Sequence, residues 1–145
     1  MNGYKVDIII PIYSSYKDFT KCINSVLDNT SKDMYNLILI NDNDDIEIDN
    51  YLFKLEAKGI ENIFIHNSEK KLEFIECINI GINYSQYNDV VLLNSDIIVT
   101  KNWLSKLRDS AYLNQYIATS VPLINDIPIF NDLQYDKYIK NYSLE

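Results

Sequence analysis

Residues 89–107 read DVVLLNSDIIVTKNWLSKL, and this stretch decides the fold. Its opening run, 89–93, is apolar, β-branched and too short for a helix, which predicts a buried strand. Asn94, Ser95 and Asp96 break that run, with 97–99 expected to extend it briefly. Trp103, Leu104, Leu107 and Ala111 then recur at helical spacing. A strand that ends in a polar tip and feeds a helix is one unit of an α/β repeat.

The same unit recurs upstream. KVDIIIP at 5–11 is a β-branched run stopped by proline, and Phe19, Cys22, Ile23, Val26 and Leu27 mark a helix capped by Asp18 or Ser15. YNLILI at 35–40 predicts a second strand, ending in the polar cluster 41–45. A weaker helix is expected over 48–58, closed by Gly59. Residues 62–66 predict a third strand, and Leu72, Ile75, Ile78 and Ile82 share one helical face up to about residue 85. Residues 117–121 are expected to form one more strand. Apolar strands alternating with helices imply a mostly parallel sheet covered on both faces, because crossover helices bury each side.

The chain has 145 residues, room for one domain with a real core, and no uncharged apolar stretch long enough to span a bilayer. The N-terminus carries no secretory signal pattern, so a cytoplasmic protein is expected, compatible with peripheral attachment at the inner membrane face. Cys22 and Cys77 fall among apolar residues of predicted helices and read as free thiols. The net charge of −8 argues against nucleic acid and anionic membranes as partners. An acidic protein that binds phosphate needs a metal ion, a helix N-terminus or a local cluster of donors.

Sheets of this kind bind ligands beyond the carboxyl ends of their strands. Three glycines in the whole chain cannot supply a dinucleotide fingerprint or a phosphate-cradling loop. The strand ends carry carboxylates and amides instead, which suit a hard divalent cation and the polar edges of a nucleoside. Asp96 sits at the lip of an apolar strand as candidate metal ligand, the alternative being a turn aspartate. Asn94, two residues earlier on an extended chain, would face the same way and offer a neutral oxygen. Asp42 stands one residue past the second strand, where it can accept from a base or a ribose. Tyr13 can stack on the base. Asn43, Asp44 and Asp45 read as a solvated turn. Asn79 interrupts the apolar face of its helix, where a buried amide needs partners and a loop backbone serves better than a ligand. His66 reads as structural, having no second base or nucleophile beside it in sequence.

VDIIIPIY, ILINDND, CINIGIN and DVVLLNSDIIVTKNWLSKL, in this order and spacing, resemble the family 2 glycosyltransferases of GT-A fold. The likeness runs from about residue 5 to 125, and LLNSDIIVTKNWL with SVPLIND is similar to members that build polysaccharides and rhamnose-containing glycans. It implies a Rossmann-like three-layer α/β/α sandwich with a mostly parallel central sheet. It also implies an inverting transferase using a nucleoside-diphosphate sugar, UDP- or dTDP-linked, with a glycan or lipid-linked acceptor. Pro11, Ile12 and Tyr13 would line the nucleoside site, with Asp42 on the base, Ser95 beside the ribose and Asp96 holding Mn²⁺ or Mg²⁺ against the diphosphate.

Three departures stand out: Asn41 and Asn94 replace the first acids of the two acidic motifs, and Glu73 stands where some relatives have a cation. Residues 1–125 are expected to form the nucleotide-sugar-binding domain, with 126–145 a polar tail or the start of an acceptor region. No general base can be assigned among Asp126, Asp132 and Asp136. The other expectation is a donor-binding module without catalysis, which the two amide replacements favour.

Overall fold

The computed structural model describes residues 5–42, 44–85 and 87–122. The chain divides into two compact units, Met1–Ser105 and Lys106–Glu145. The boundary expected at residue 125, and the three candidate bases, lie outside the described residues.

The first unit contains four strands, β1 (Val6–Ile12), β2 (Tyr35–Asn41), β3 (Ile63–Asn67) and β4 (Asp89–Leu92). They form one parallel sheet in the order β3-β2-β1-β4. Between them run α1 (Tyr16–Asn29), α2 (Ile46–Glu56) and α3 (Phe74–Tyr84), and α4 (Trp103–Ala111) begins after β4. The expected boundaries hold to within about two residues, except that residues 97–99 add no strand to β4.

Period-2 alternation sorts the sheet into two faces. Val6, Ile8, Ile10 and Ile12 of β1 pack with Phe19, Cys22, Ile23 and Val26 of α1 and with Ile48, Leu52 and Leu55 of α2. Ile9, Ile38 and Ile40 face the other way, against Leu72 and against Cys77 of α3. The result is the expected three-layer α/β/α sandwich. Ser15 caps α1, its hydroxyl accepting the Asp18 N–H at 3.3 Å, and Asp45 caps α2. Gly59 ends the turn after α2 at φ 58°, where a side chain would be strained.

The face that α3 buries differs from the expected one. Ile75 and Ile82 are 62% and 42% exposed, while Cys77 and Gly81 are buried and Ile80 packs with them. A Cβ on Gly81 would overlap Cγ2 of Ile9, so the helix backbone rests directly on the middle of β1. Asn79 therefore lies on the exposed side of α3 and not on a buried apolar face.

In the second unit the described residues are 106–122, and 117–121 adopt no strand there. A turn at Asn114 is closed by Ile117 N–H to its carbonyl at 3.3 Å and by Tyr116 N–H to its side chain at 2.9 Å. No helix among the described residues is long and apolar enough to cross a membrane.

Candidate functional site

The strand order reverses between β1 and β4, since α1 and α2 lead the chain one way from β1 and α3 brings it back to the other side. In open parallel sheets this switch point leaves a crevice at the carboxyl ends of the two strands. The residues at this switch point are Tyr13 and Ser14 after β1 and Asn94, Ser95 and Asp96 after β4.

The β1–β4 ladder closes with Leu93 N–H donating to the Ile9 carbonyl at 3.0 Å. Beyond it β1 continues beside β2 as far as the Ile12–Asn41 pair, but the chain after Leu93 turns, with Ile97 N–H on the Asn94 carbonyl at 3.2 Å. Asn94 and Asp96 therefore sit in a turn and not on an extended chain, and the alternation expected to aim them together does not apply. Both are exposed, whereas Ser95 between them is fully buried. The Ser95 hydroxyl accepts the N–H groups of Tyr13 and Ser14 at 3.3 and 3.2 Å, and the Ser14 hydroxyl donates to the Ser95 carbonyl at 3.0 Å. It faces the β1 tip, away from solvent.

Tyr13 is half exposed, its ring meeting Phe74 edge-to-face at 6.0 Å. Burial raises the pKa of its hydroxyl, and the negative charge of Asp96 raises it further. Burial, again reinforced by Asp96, pushes the Cys22 thiol up to about 12. The Asp96 charge thus acts on both the Tyr13 hydroxyl and the Cys22 thiol in the middle of α1. Pro11 and Ile12 are buried, Ile12 within the α1 side of the core, so of the three β1-tip residues Tyr13 presents the most open side chain.

Asp42 is nearly buried, its Oδ2 accepting the Leu72 N–H at 2.9 Å and lying 3.4 Å from the Lys71 ammonium. It ties the end of β2 to the entry of α3. Lys71, which sequence reasoning passed over, is largely exposed and places a cation on the same rim. Asn41 donates to Asp49 at 2.9 Å and to Asn67 at 3.1 Å, linking β2 to α2 and β3. A carboxylate there would face Asp49 at hydrogen-bond distance. His66 is half-buried, its Nδ1 3.2 Å from the Tyr84 hydroxyl.

Among the described residues no group of three or more His, Cys, Asp or Glu converges to hold a metal. Neither ion pair among them, Lys21–Asp18 or Lys71–Asp42, involves Asp96. One exposed carboxylate suits a Mg²⁺-type ion, which keeps several waters and takes its other ligands from substrate phosphates. A groove of about 280 Å³ lies at the opposite end of the sheet, beside Asp7, Asn36 and Asn88. There the buried Asp7 carboxylate accepts from Asn36 at 2.7 Å and from Asn88 at 3.0 Å, cross-linking β1, β2 and the segment before β4.

No curated protein matches the chain. Among the solved structures that share its fold are the following three. GalNAc-T7 with UDP, GalNAc and Mn²⁺ superposes with a TM-score of 0.63 at 16% identity over 72% of this chain and 20% of its own. S. aureus TarS 1-349 gives 0.60 at 18% identity, over 74% and 33% respectively. The mannosyltransferase PcManGT from Pyrobaculum calidifontis, in complex with GDP-Man and Mn²⁺, gives 0.64 at 10%, over 73% and 32%. The chain thus spans between a fifth and a third of the length of these structures. The model of the family described as glycosyl transferase family 2 matches residues 7–143, nearly the whole chain, and the chain belongs to that family.

Proposed function

We propose that this chain forms the donor half of a glycosyltransferase, holding a nucleoside-diphosphate sugar, UDP- or dTDP-linked, at the β1–β4 crevice. One observation carries the reading: at the switch point the buried Ser95 hydroxyl accepts the Tyr13 N–H at 3.3 Å, so half-exposed Tyr13 and exposed Asp96, the residue after Ser95, stand at the same pair of strand tips. Tyr13 offers an aromatic face to the base, and Asp42 stands at the end of β2 as the acceptor for its N–H edge. Asp96, with the Asn94 side chain two residues before it, would hold Mn²⁺ or Mg²⁺. Such an ion neutralises the diphosphate as it departs. Two of the structures of similar fold contain Mn²⁺ with a nucleotide or nucleotide sugar, which supports the same choice here. Pro11, Ile12 and Ser95 would shape the nucleoside site from behind, and exposed Asn79 would meet the donor only from the rim of α3. In this reading transfer inverts the sugar and the acceptor is a glycan or a lipid-linked glycan.

A second reading, donor binding without transfer, is favoured by Asn94, which leaves one carboxylate where two would grip the metal more tightly. Titrating the full chain with UDP, with and without MnCl₂, tests the site. Asp96→Ala is expected to remove the metal-dependent gain in affinity, and Tyr13→Ala to weaken binding with or without metal. A gain unchanged in Asp96→Ala refutes the assignment. Incubation with a UDP-sugar then separates the readings, because only a transferase releases UDP faster when an acceptor glycan is added.

A further inference from the structure

We infer that Ser95 is a positioning residue: its buried hydroxyl bridges the tips of β1 and β4 and thereby fixes Tyr13 and Asp96 relative to each other. The inference rests on the donor-site reading above.

Past Leu93 no backbone ladder joins the two strands, so two N–H groups at the β1 tip need an acceptor other than β4. Ser95 supplies it. One hydroxyl oxygen has two lone pairs, enough for both the Tyr13 and Ser14 donors, and full burial leaves water no place to compete. The Ser14 hydroxyl returns the bond to the Ser95 carbonyl. On the far side the Cys22 thiol donates to the Asn94 carbonyl at 3.5 Å, so α1 holds the same turn. The turn is gripped from both flanks, and the next residue is Asp96. Tyr13 is itself one of the gripped residues, so a single hydroxyl sets the spacing between the aromatic face and the carboxylate. Alanine would leave two donors unpaired in a dry site, while threonine keeps the oxygen.

The test uses the full chain and two readouts, amide exchange at Tyr13 and Ser14 by NMR and UDP affinity with and without Mn²⁺. In Ser95→Ala both amides are expected to exchange about tenfold faster or more, the scale of one to two lost hydrogen bonds. The affinity gain given by Mn²⁺ should fall about tenfold. Ser95→Thr should restore the gain, a rescue that a loss of general stability would not produce. Ser14→Ala, at a half-exposed position and removing one of the three bonds, should fall in between; it decides the matter if Ser95→Ala does not fold. If Ser14→Ala or Ser95→Ala keeps the full gain while Asp96→Ala loses it, the positioning role is refuted and the donor site stands. If Asp96→Ala keeps the gain, or the unaltered chain shows none, the donor-site reading itself fails.

Discussion

Replacing Gly81 by alanine should destabilise the protein, although alanine is the better helix former. The helical preference alone favours alanine by about 1 kcal/mol. Against it stands the overlap of the new methyl with Cγ2 of Ile9, with Cγ1 and Cδ1 of the same side chain each only 3.2 Å away. Ile9 cannot step aside, because it is fully buried and paired with Ile38 on one side and Leu92 on the other. The helix must move instead. Its N-terminus is pinned by the Asp42 carboxylate on the Leu72 N–H and by the reciprocal Glu73–Glu76 capping box, so α3 would pivot outward and loosen Cys77 and Ile80. Overpacking of this kind costs roughly 2–3 kcal/mol in a dense core, which leaves a net loss of about 1–2 kcal/mol after the gain in helix preference. Urea unfolding should show it as a midpoint lower by about 0.5–1 M at the slope usual for a domain of this size. Ile9→Ala in the same chain removes the colliding methyl, so the double variant should lose at least about 1 kcal/mol less than the sum of the singles. A Gly81→Ala protein as stable as the parent, or strictly additive losses, would show that α3 does not rest on β1 through this glycine.

Asn41→Asp should cost roughly 2 kcal/mol near neutral pH by setting a buried carboxylate against Asp49, and acid should relieve part of it; urea midpoints at pH 7 and pH 4.5 check both. Cys22 should resist iodoacetamide at pH 8 in the native chain and react once unfolded, since burial and then Asp96 push its thiol up to about 12. The folded thiol holds its proton more tightly than the unfolded one, so its contribution to stability is complete below the unfolded pKa of about 8.5. It is lost as pH rises from there toward about 12, and Asp96→Ala should speed labelling of Cys22 at pH 9. Asn94→Asp should tighten Mn²⁺ binding about tenfold, followed by isothermal titration, because a second anionic oxygen joins the exposed tip; unchanged affinity would mean that residue 94 faces away from the ion.

The alternation of strands and helices from β1 to α4 was legible because the runs at β1 and β2 are apolar whichever face they present. The orientation of α3 was not. FIECINIGINY is apolar around most of its circumference, so the 3.6-residue period admits two faces, one through Ile75, Ile78 and Ile82 and one through Cys77, Ile80 and Gly81. Counting large apolar residues selects the first. The structure selects the second, since only a residue without Cβ lets the helix backbone touch Ile9, and the smallest residue decides the contact. Asn79 moved from the buried side to the exposed side for the same reason. At the β4 tip the polar triplet signalled a strand end, but nothing in its pattern distinguished an extended continuation from a turn. The buried role of Ser95 depends on Tyr13 and Ser14, more than eighty residues away in sequence, and no local pattern records that distance.

The two amides that replace acids at the strand tips have different physical origins, and this bears on whether the chain kept its chemistry. Asn41 is nearly buried and must donate, because Asp49 and Asn67 both present oxygens to it. Its identity follows from the interior it faces, so it says little about a ligand. Asn94 contributes to the fold through its backbone carbonyl, which accepts from Cys22 and Ile97, while its side chain is exposed. The fold would tolerate an acid there, so the amide changes only what the rim offers a cation. In the donor-site reading, with one carboxylate at the tip, a divalent ion would draw most of its ligands from phosphates and water, and its affinity would be conditional on the diphosphate being present. In the same reading, on an acidic chain whose nearby rim cation, Lys71, is already paired with Asp42, that conditional ion would be the charge that makes room for a polyanion.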